Sequence, residues 1–117
     1  MTTALFDSWI DRYDNWFATP IGQLVRRYEA ELLLAFLEPQ PGERILDAGC
    51  GTGIFTADAL NSGPWVTGID LSAGMLSRAV ARGGAHFAGV CADMCALPFA
   101  DNSFDRVFSM TAIEFVA

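Results

Sequence analysis

Positive charge is scarce in this chain, where seven basic residues stand against fourteen acidic ones for a net charge of −7. That balance leaves no electrostatic footprint for a phosphate backbone, and Arg26-Arg27 is the only adjacent basic pair, so no nucleic-acid partner is expected. Long apolar runs are lacking too. The longest, over 32–37, falls well short of the roughly 20 residues that a membrane-spanning helix needs, so no membrane partner is expected. The first residues carry Asp7, Asp11 and Asp14 and no basic leader ahead of an apolar stretch, which argues against a secretory signal and for a cytoplasmic location. Cysteine is sparse: Cys50, Cys91 and Cys95 form an odd set with no CxxC pair, which suits reduced thiols and speaks against both a disulfide framework and a zinc site. Histidine occurs once, at position 86, and there are no internal repeats or low-complexity segments.

What is present points to a buried core. Hydrophobic residues make up 52% of the 117 and charged residues 18%, the composition of one folded domain with no room for a second core. From 6 to 17 the aromatics Phe6, Trp9, Tyr13, Trp16 and Phe17 recur at three- and four-residue steps, as on one face of a short amphipathic helix. A break is expected over 19–22. Leu24, Tyr28, Leu32, Ala35 and Phe36 then carry helical spacing across 23–38, closed by Pro39-Gln40-Pro41-Gly42. Strands are expected over 44–47, 65–70, 86–90 and 105–110, with helices over 54–60 and 73–82, the latter capped by Ser72. Strands separated by helices of about ten residues imply right-handed crossovers. The expected fold class is therefore α/β, a Rossmann-like parallel sheet with helices on both faces. Residues 1–43 form an N-terminal helical segment and 44–117 the sheet-bearing domain.

The chemistry concentrates just after the first strand. Gly49, Gly51 and Gly53 let the backbone turn sharply and approach a ligand, while the following helix presents free N–H groups, an arrangement suited to a nucleotide-type cofactor. Asp70, 17 positions beyond Gly53 at the end of the second strand, sits where a carboxylate can accept from both ribose hydroxyls; its bland alternative is a cap for the next helix. A nicotinamide cofactor would use the same two features. The dinucleotide fingerprint GxGxxG starting at Gly49 nevertheless requires glycine or alanine at 54, where this chain has Ile54, and the carboxylates of Asp47 and Asp93 would oppose a pyrophosphate.

At these residues a resemblance becomes specific. The run Ile45-Leu46-Asp47-Ala48-Gly49-Cys50-Gly51-Thr52-Gly53 resembles the first motif of class I S-adenosylmethionine-dependent methyltransferases, and Val66-Thr67-Gly68-Ile69-Asp70-Leu71-Ser72 resembles the next. Ala92-Asp93-Met94, followed by Leu97-Pro98-Phe99 and Asn102-Ser103-Phe104-Asp105, is similar to the adenine-contacting stretch of the small-molecule branch typified by the ubiquinone and menaquinone biosynthesis methyltransferases. The resemblance covers roughly 37–116. It implies S-adenosylmethionine as cofactor, S-adenosylhomocysteine as product and a small-molecule methyl acceptor. It further implies Gly49, Cys50, Gly51 and Gly53 against the methionine portion, with Asp47 near its amino group. Asp70 and Leu71 would lie on the nucleoside, Asp93 on the adenine amino group and Met94 on the ring. Ser109, Met110 and Thr111 would border the methionine end.

Methyl transfer can be driven largely by placement, so the lack of a Ser/His/Asp set does not count against it. No catalytic base is assigned: His86 reads as structural, Glu114 as a helix-start residue near the acceptor side, and Cys50 as a packing residue in a loop that demands small side chains. Tyr13 is the residue of the N-terminal helix expected to reach the site, if that helix folds over the cofactor as a lid. Ser109-Met110-Thr111-Ala112 departs from the Asn/Asp-Pro-Pro-aromatic motif of the enzymes that methylate exocyclic amines. The resemblance also implies a seven-stranded sheet of which this chain supplies the first four strands, so truncation, and self-association through Val107 to Met110 of the fourth strand, are expected. The remaining alternatives are a cofactor-binding fragment or scaffold without catalysis and, behind it, an NAD-dependent oxidoreductase.

Overall fold

A single residue, Thr19, divides the first two helices, α1 (Thr3–Ala18) and α2 (Pro20–Leu37), in the computed structural model of the chain. The structure describes residues 3–110, with side chains described from residue 8 onward. Thr19 is extended, its hydroxyl oxygen accepts from the Gly22 N–H at 3.1 Å, and Pro20 occupies the first helical position, where a missing N–H costs nothing. The break expected over 19–22 is thus a one-residue cap. Gly22 makes the tight turn feasible, since a Cβ there would stand 2.0 Å from the Trp16 carbonyl oxygen.

α2 buries a different face from the one its spacing suggested, and α1 turns only part of its aromatic stripe inward. On α1 the deepest side chain is Ile10, and Phe17 packs edge-on against Phe55, whereas Trp9 and Trp16 are exposed. On α2 the buried residues are Gly22, Ala30, Leu33 and Leu37, while Ile21, Leu24, Tyr28, Leu32 and Phe36 face outward, Phe36 at 85% exposure. The physical reason is that α2 is apolar over most of its circumference, so periodicity admits two stripes. The stripe carrying the small residues is the one that can approach its neighbours closely.

The sheet follows from four short strands, β1 (Arg44–Ala48), β2 (Trp65–Asp70), β3 (Phe87–Cys91) and β4 (Arg106–Phe108). All pairings are parallel and the order is β3-β2-β1-β4, so the chain steps outward from β1 to β3 and then returns to β1's other side. The crossovers between β1, β2 and β3 are α3 (Ile54–Leu60) and α4 (Ala73–Gly83). The α/β class and the parallel sheet expected from the sequence are what the structure contains. Strand ends differ slightly. β3 begins one residue later than expected because His86 contributes only its carbonyl, which accepts from the Val66 N–H at 2.9 Å. β4 is confined to three residues. Ahead of it, Asp105 exchanges two bonds with Arg44, its N–H to the Arg44 carbonyl at 2.7 Å and its Oδ2 from the Arg44 N–H at 2.8 Å.

One face of the sheet, through Ile45, Val66 and Phe108, packs against Ala30, Leu33 and Leu37 of α2 and Phe55 and Ala59 of α3. The other face, through Leu46, Ala48 and Ile69, is covered by Val90, Ala92, Met94, Phe99 and Phe104, largely the segment linking β3 to β4. Among the described residues the helices lie on the first face. Each fully buried aliphatic side chain here contributes about 1.5–3 kcal/mol. No helix among the described residues is long and apolar enough to cross a membrane.

Candidate functional site

Two loops meet at the carboxyl ends of β1 and β2, beside the point where the strand order reverses, which is where open parallel sheets bind ligands. The first follows β1. Gly49, Gly51 and Gly53 all take positive φ, at 72°, 56° and 81°, a backbone path that side-chain-bearing residues rarely follow. The Ile69 carbonyl anchors the start of this loop by accepting from the N–H groups of Gly49 and Cys50 at 2.8 and 2.9 Å. Gly53 N–H closes it onto the Cys50 carbonyl at 3.0 Å.

Asp70 holds the two loops together. One carboxylate oxygen accepts from the Gly51 N–H at 3.0 Å and the other from the Ser72 N–H at 2.9 Å, while the Asp70 carbonyl accepts from the Ala92 N–H at 3.2 Å. The helix cap that the sequence left as an alternative for Asp70 falls instead to Ser72, whose hydroxyl oxygen accepts from the Met75 N–H at 3.1 Å. A carboxylate offers about four acceptor positions, so Asp70 retains capacity toward a ligand after these two bonds. A Cβ built on Gly51 would meet nothing within 4 Å, so the space over the loop is open. Leu71, 71% exposed, puts an apolar side chain next to Asp70.

Asp47 lies on the same strand face as Asp70 but deeper, fully enclosed, and its carboxylate accepts from the Thr56 hydroxyl of α3. Burial pushes its pKa up to about 7; the Thr56 bond lowers it and the nearby Asp70 charge raises it further. Cys50 is half-buried, with its sulfur close against Gly68. Burial pushes its thiol pKa well up, and the Asp47 and Asp70 charges add to that, which disfavours the thiolate.

The segment after β3 contributes less order. Asp93 is exposed, and one of its oxygens accepts from the Cys95 N–H at 2.8 Å. Met94 packs on the second-face core of Leu46, Ala48 and Ile69, so its side chain supports the sheet rather than standing free beside Asp93. Met110 packs against the first-face core, and the neighbouring Ser109 hydroxyl oxygen is buried without a hydrogen-bond partner. Thr111 and Glu114 lie outside the described residues. His86 is at the opposite end of the sheet, stacked on Trp65 at 3.9 Å with Nδ1 donating to the Pro64 carbonyl, a structural role. Tyr13 lies between the rings of Trp9 and Phe17 on α1. The structure therefore brings Asp47, Gly49, Cys50, Gly51, Gly53, Asp70 and Leu71 together, and sets Asp93 at the edge.

Sequence reasoning missed four residues around the same loop. Asp14 of α1 accepts from the Thr52 hydroxyl at 2.6 Å and from Arg78 at 3.2 Å, and Arg82 donates to the Thr52 carbonyl at 2.5 Å. These partners are 30 to 64 positions apart in sequence. The one local signal was Arg78 and Arg82 four residues apart on α4, sharing a face.

Comparison with known proteins shows the family. Residues 45–117 match the family described as a methyltransferase domain. Malonyl-(acyl-carrier protein) O-methyltransferase of Erwinia pyrifoliae is 43% identical over 90 residues, covering 77% of this chain and 34% of that protein. Demethylmenaquinone methyltransferase of a Mycobacterium species is 38% identical over 105 residues, covering 89% of this chain and 44% of that protein. Among solved structures, an S-adenosylmethionine-dependent methyltransferase from Mesorhizobium loti superposes with a TM-score of 0.61 at 40% identity, over 68% of this chain and 37% of that one. The chain spans less than half the length of each of these relatives.

Proposed function

This chain belongs to the class I S-adenosylmethionine-dependent methyltransferases, and from that premise we propose that the protein carrying it methylates a small-molecule acceptor. The observation that carries the reading is the Asp70 carboxylate, fixed by two backbone N–H groups at the lip of a left-handed glycine loop with open space above it. The set around that space is rich in acceptors, and the two arginines near the loop are engaged by Asp11, Asp14 and the Thr52 carbonyl. It fits a nucleoside with hydroxyl and amino groups and a positively charged tail, and it would repel a diphosphate.

In this reading Asp70 accepts from the ribose hydroxyls, Leu71 supplies an apolar wall for the base and Asp93 accepts from the adenine amino group. The backbone of Gly49 to Gly53, with Cys50 as its small side chain, holds the methionine portion; Met94 and Met110 back the pocket from the two cores. Bound there, the cofactor would supply an electrophilic methyl group for transfer to the acceptor's lone pair. The chain's own part is positioning, which alone can contribute about 7–11 kcal/mol to such a bimolecular step. Asp47 adds a proton-linked element. A cationic amino group held over the loop would favour its ionised form, so cofactor binding near neutral pH would be accompanied by proton release.

The acceptor class rests on the relatives, which by their names act on a carrier-protein-bound malonyl group and on demethylmenaquinone. Neither is a nucleic acid. The same reading takes the protein to act in the cytoplasm. The test of function is transfer of labelled methyl from S-adenosylmethionine by the full-length protein to a panel of carboxylate, quinone and amine acceptors. Incorporation into one class supports the reading. Cofactor binding with no transfer to any acceptor would leave a binding scaffold.

A further inference from the structure

The geometry points to Asp14 as a positioning residue for the glycine loop, acting from α1 through Thr52. This inference rests on the cofactor site proposed above and extends it to a helix that lies before the matched region.

Asp14 is only 12% exposed although it sits on a helix whose neighbouring Asp11 is largely in solvent. Ile10, Asp14 and Phe17 follow one another at helical spacing, so the face of α1 that buries its apolar side chains also delivers this carboxylate. One of its oxygens takes the Thr52 hydroxyl at 2.6 Å; the other takes Arg78 at 3.2 Å and stands 3.5 Å from Arg82. Arg82 in turn donates to the Thr52 carbonyl at 2.5 Å, and Arg78 also pairs with Asp11. Thr52 is fully buried and held at both of its polar ends.

The consequence lies in which bonds fix the loop. Between Gly49 and Gly53 three residues sit at positive φ, a path that glycine permits but does not enforce. Gly53 heads α3 without any side-chain cap. The middle of the loop is therefore held from two sides, by Asp70 on the Gly51 N–H and by Asp14 and Arg82 on Thr52. The first clamp belongs to the cofactor site. The second ties the loop to α1 and α4, and two arginines balance the Asp14 charge so that it adds no net repulsion. A ligand that requires this loop conformation then stabilises the docking of α1, and a docked α1 strengthens binding of the ligand by the same factor.

The experiment is a double-mutant cycle on the affinity of the full-length protein for S-adenosylhomocysteine, read by calorimetry, with hydrogen exchange of the α1 amides as a second readout. Asp14→Ala and Thr52→Val are each expected to weaken binding about tenfold, with the double variant no weaker than either single one. Thr52→Ser, which keeps the hydroxyl, is expected to stay within about twofold of the parent. Should Asp14→Ala fail to fold, Asp14→Leu carries the same cycle, since it keeps a side chain of similar size and offers the Thr52 hydroxyl no acceptor. In the parent, ligand slows exchange in α1; in the variants that slowing is lost. Additive losses, or α1 exchange indifferent to ligand in the parent, overturn the proposal alone. A parent protein that binds no S-adenosylhomocysteine overturns the site assignment and this proposal with it.

Discussion

Replacing Asp47 with asparagine should stabilise this fold at neutral pH and remove a pH dependence that the parent shows. The carboxyl is fully enclosed and its pKa stands at about 7 against an ordinary 3.8. A folded-state pKa above the unfolded one means that the folded state holds the proton more tightly. Its contribution is fully present below pH 3.8 and is lost as pH rises through about 7. A shift of about three units corresponds to roughly 4 kcal/mol, an upper bound reached by pH 8. Asparagine has the same shape, offers its amide oxygen to the Thr56 hydroxyl that now bonds Asp47, and does not titrate. Urea unfolding of parent and variant between pH 4 and 8.5 isolates the effect, because the other titrating groups cancel in the difference. The stability gap should grow in the variant's favour from near zero at pH 4 to about 2–4 kcal/mol at pH 8. A gap that stays constant with pH, or that favours the parent more as pH rises, would refute the assignment of a proton to this carboxyl.

Packing makes two further predictions. Leu33→Ala, on the buried face of α2, should cost about 2–5 kcal/mol, whereas Phe36→Ser on the exposed face should change the unfolding free energy read by urea titration by no more than about 0.5 kcal/mol; a larger loss for Phe36→Ser than for Leu33→Ala would mean the two faces have been reversed. Gly53→Ala should destabilise by about 1–2 kcal/mol, because φ is +81° and the added Cβ would stand 3.1 Å from the Ala79 Cα, and a thermal midpoint at or above the parent's would contradict the loop path.

Much of this architecture was legible because local chemistry and tertiary packing agree in it. The run from Arg44 to Leu60 reads as strand, glycine turn and helix, since Ile45, Leu46 and Ala48 give β1 its apolar centre and three glycines mark the turn. Ser72 declared the start of α4 through a cap that needs no tertiary partner. Where several packings were equally apolar, periodicity could not choose. Leu24, Tyr28, Leu32 and Phe36 formed a regular stripe on α2, yet close approach to α1 and α3 favoured the face with Gly22 and Ala30. Met94 looked like a free apolar wall because the sequence does not tell which face of the sheet the described helices leave uncovered, and it is that face which draws Met94 into the core. The Asp14 cluster was invisible for a different reason. Its members are polar residues on three elements, and nothing in the neighbourhood of any one of them names the others.

The central claim is that the loop after β1 and the Asp70 carboxylate bind S-adenosylmethionine, and calorimetric titration addresses it most directly. S-adenosylmethionine, S-adenosylhomocysteine and NAD would each be titrated into the folded protein and into its Asp70→Ala variant. The account predicts saturable binding of the first two to the parent, loss of that binding in the variant and no binding of NAD to either. Binding of NAD in place of the other two, or S-adenosylmethionine affinity unchanged in Asp70→Ala, would contradict it.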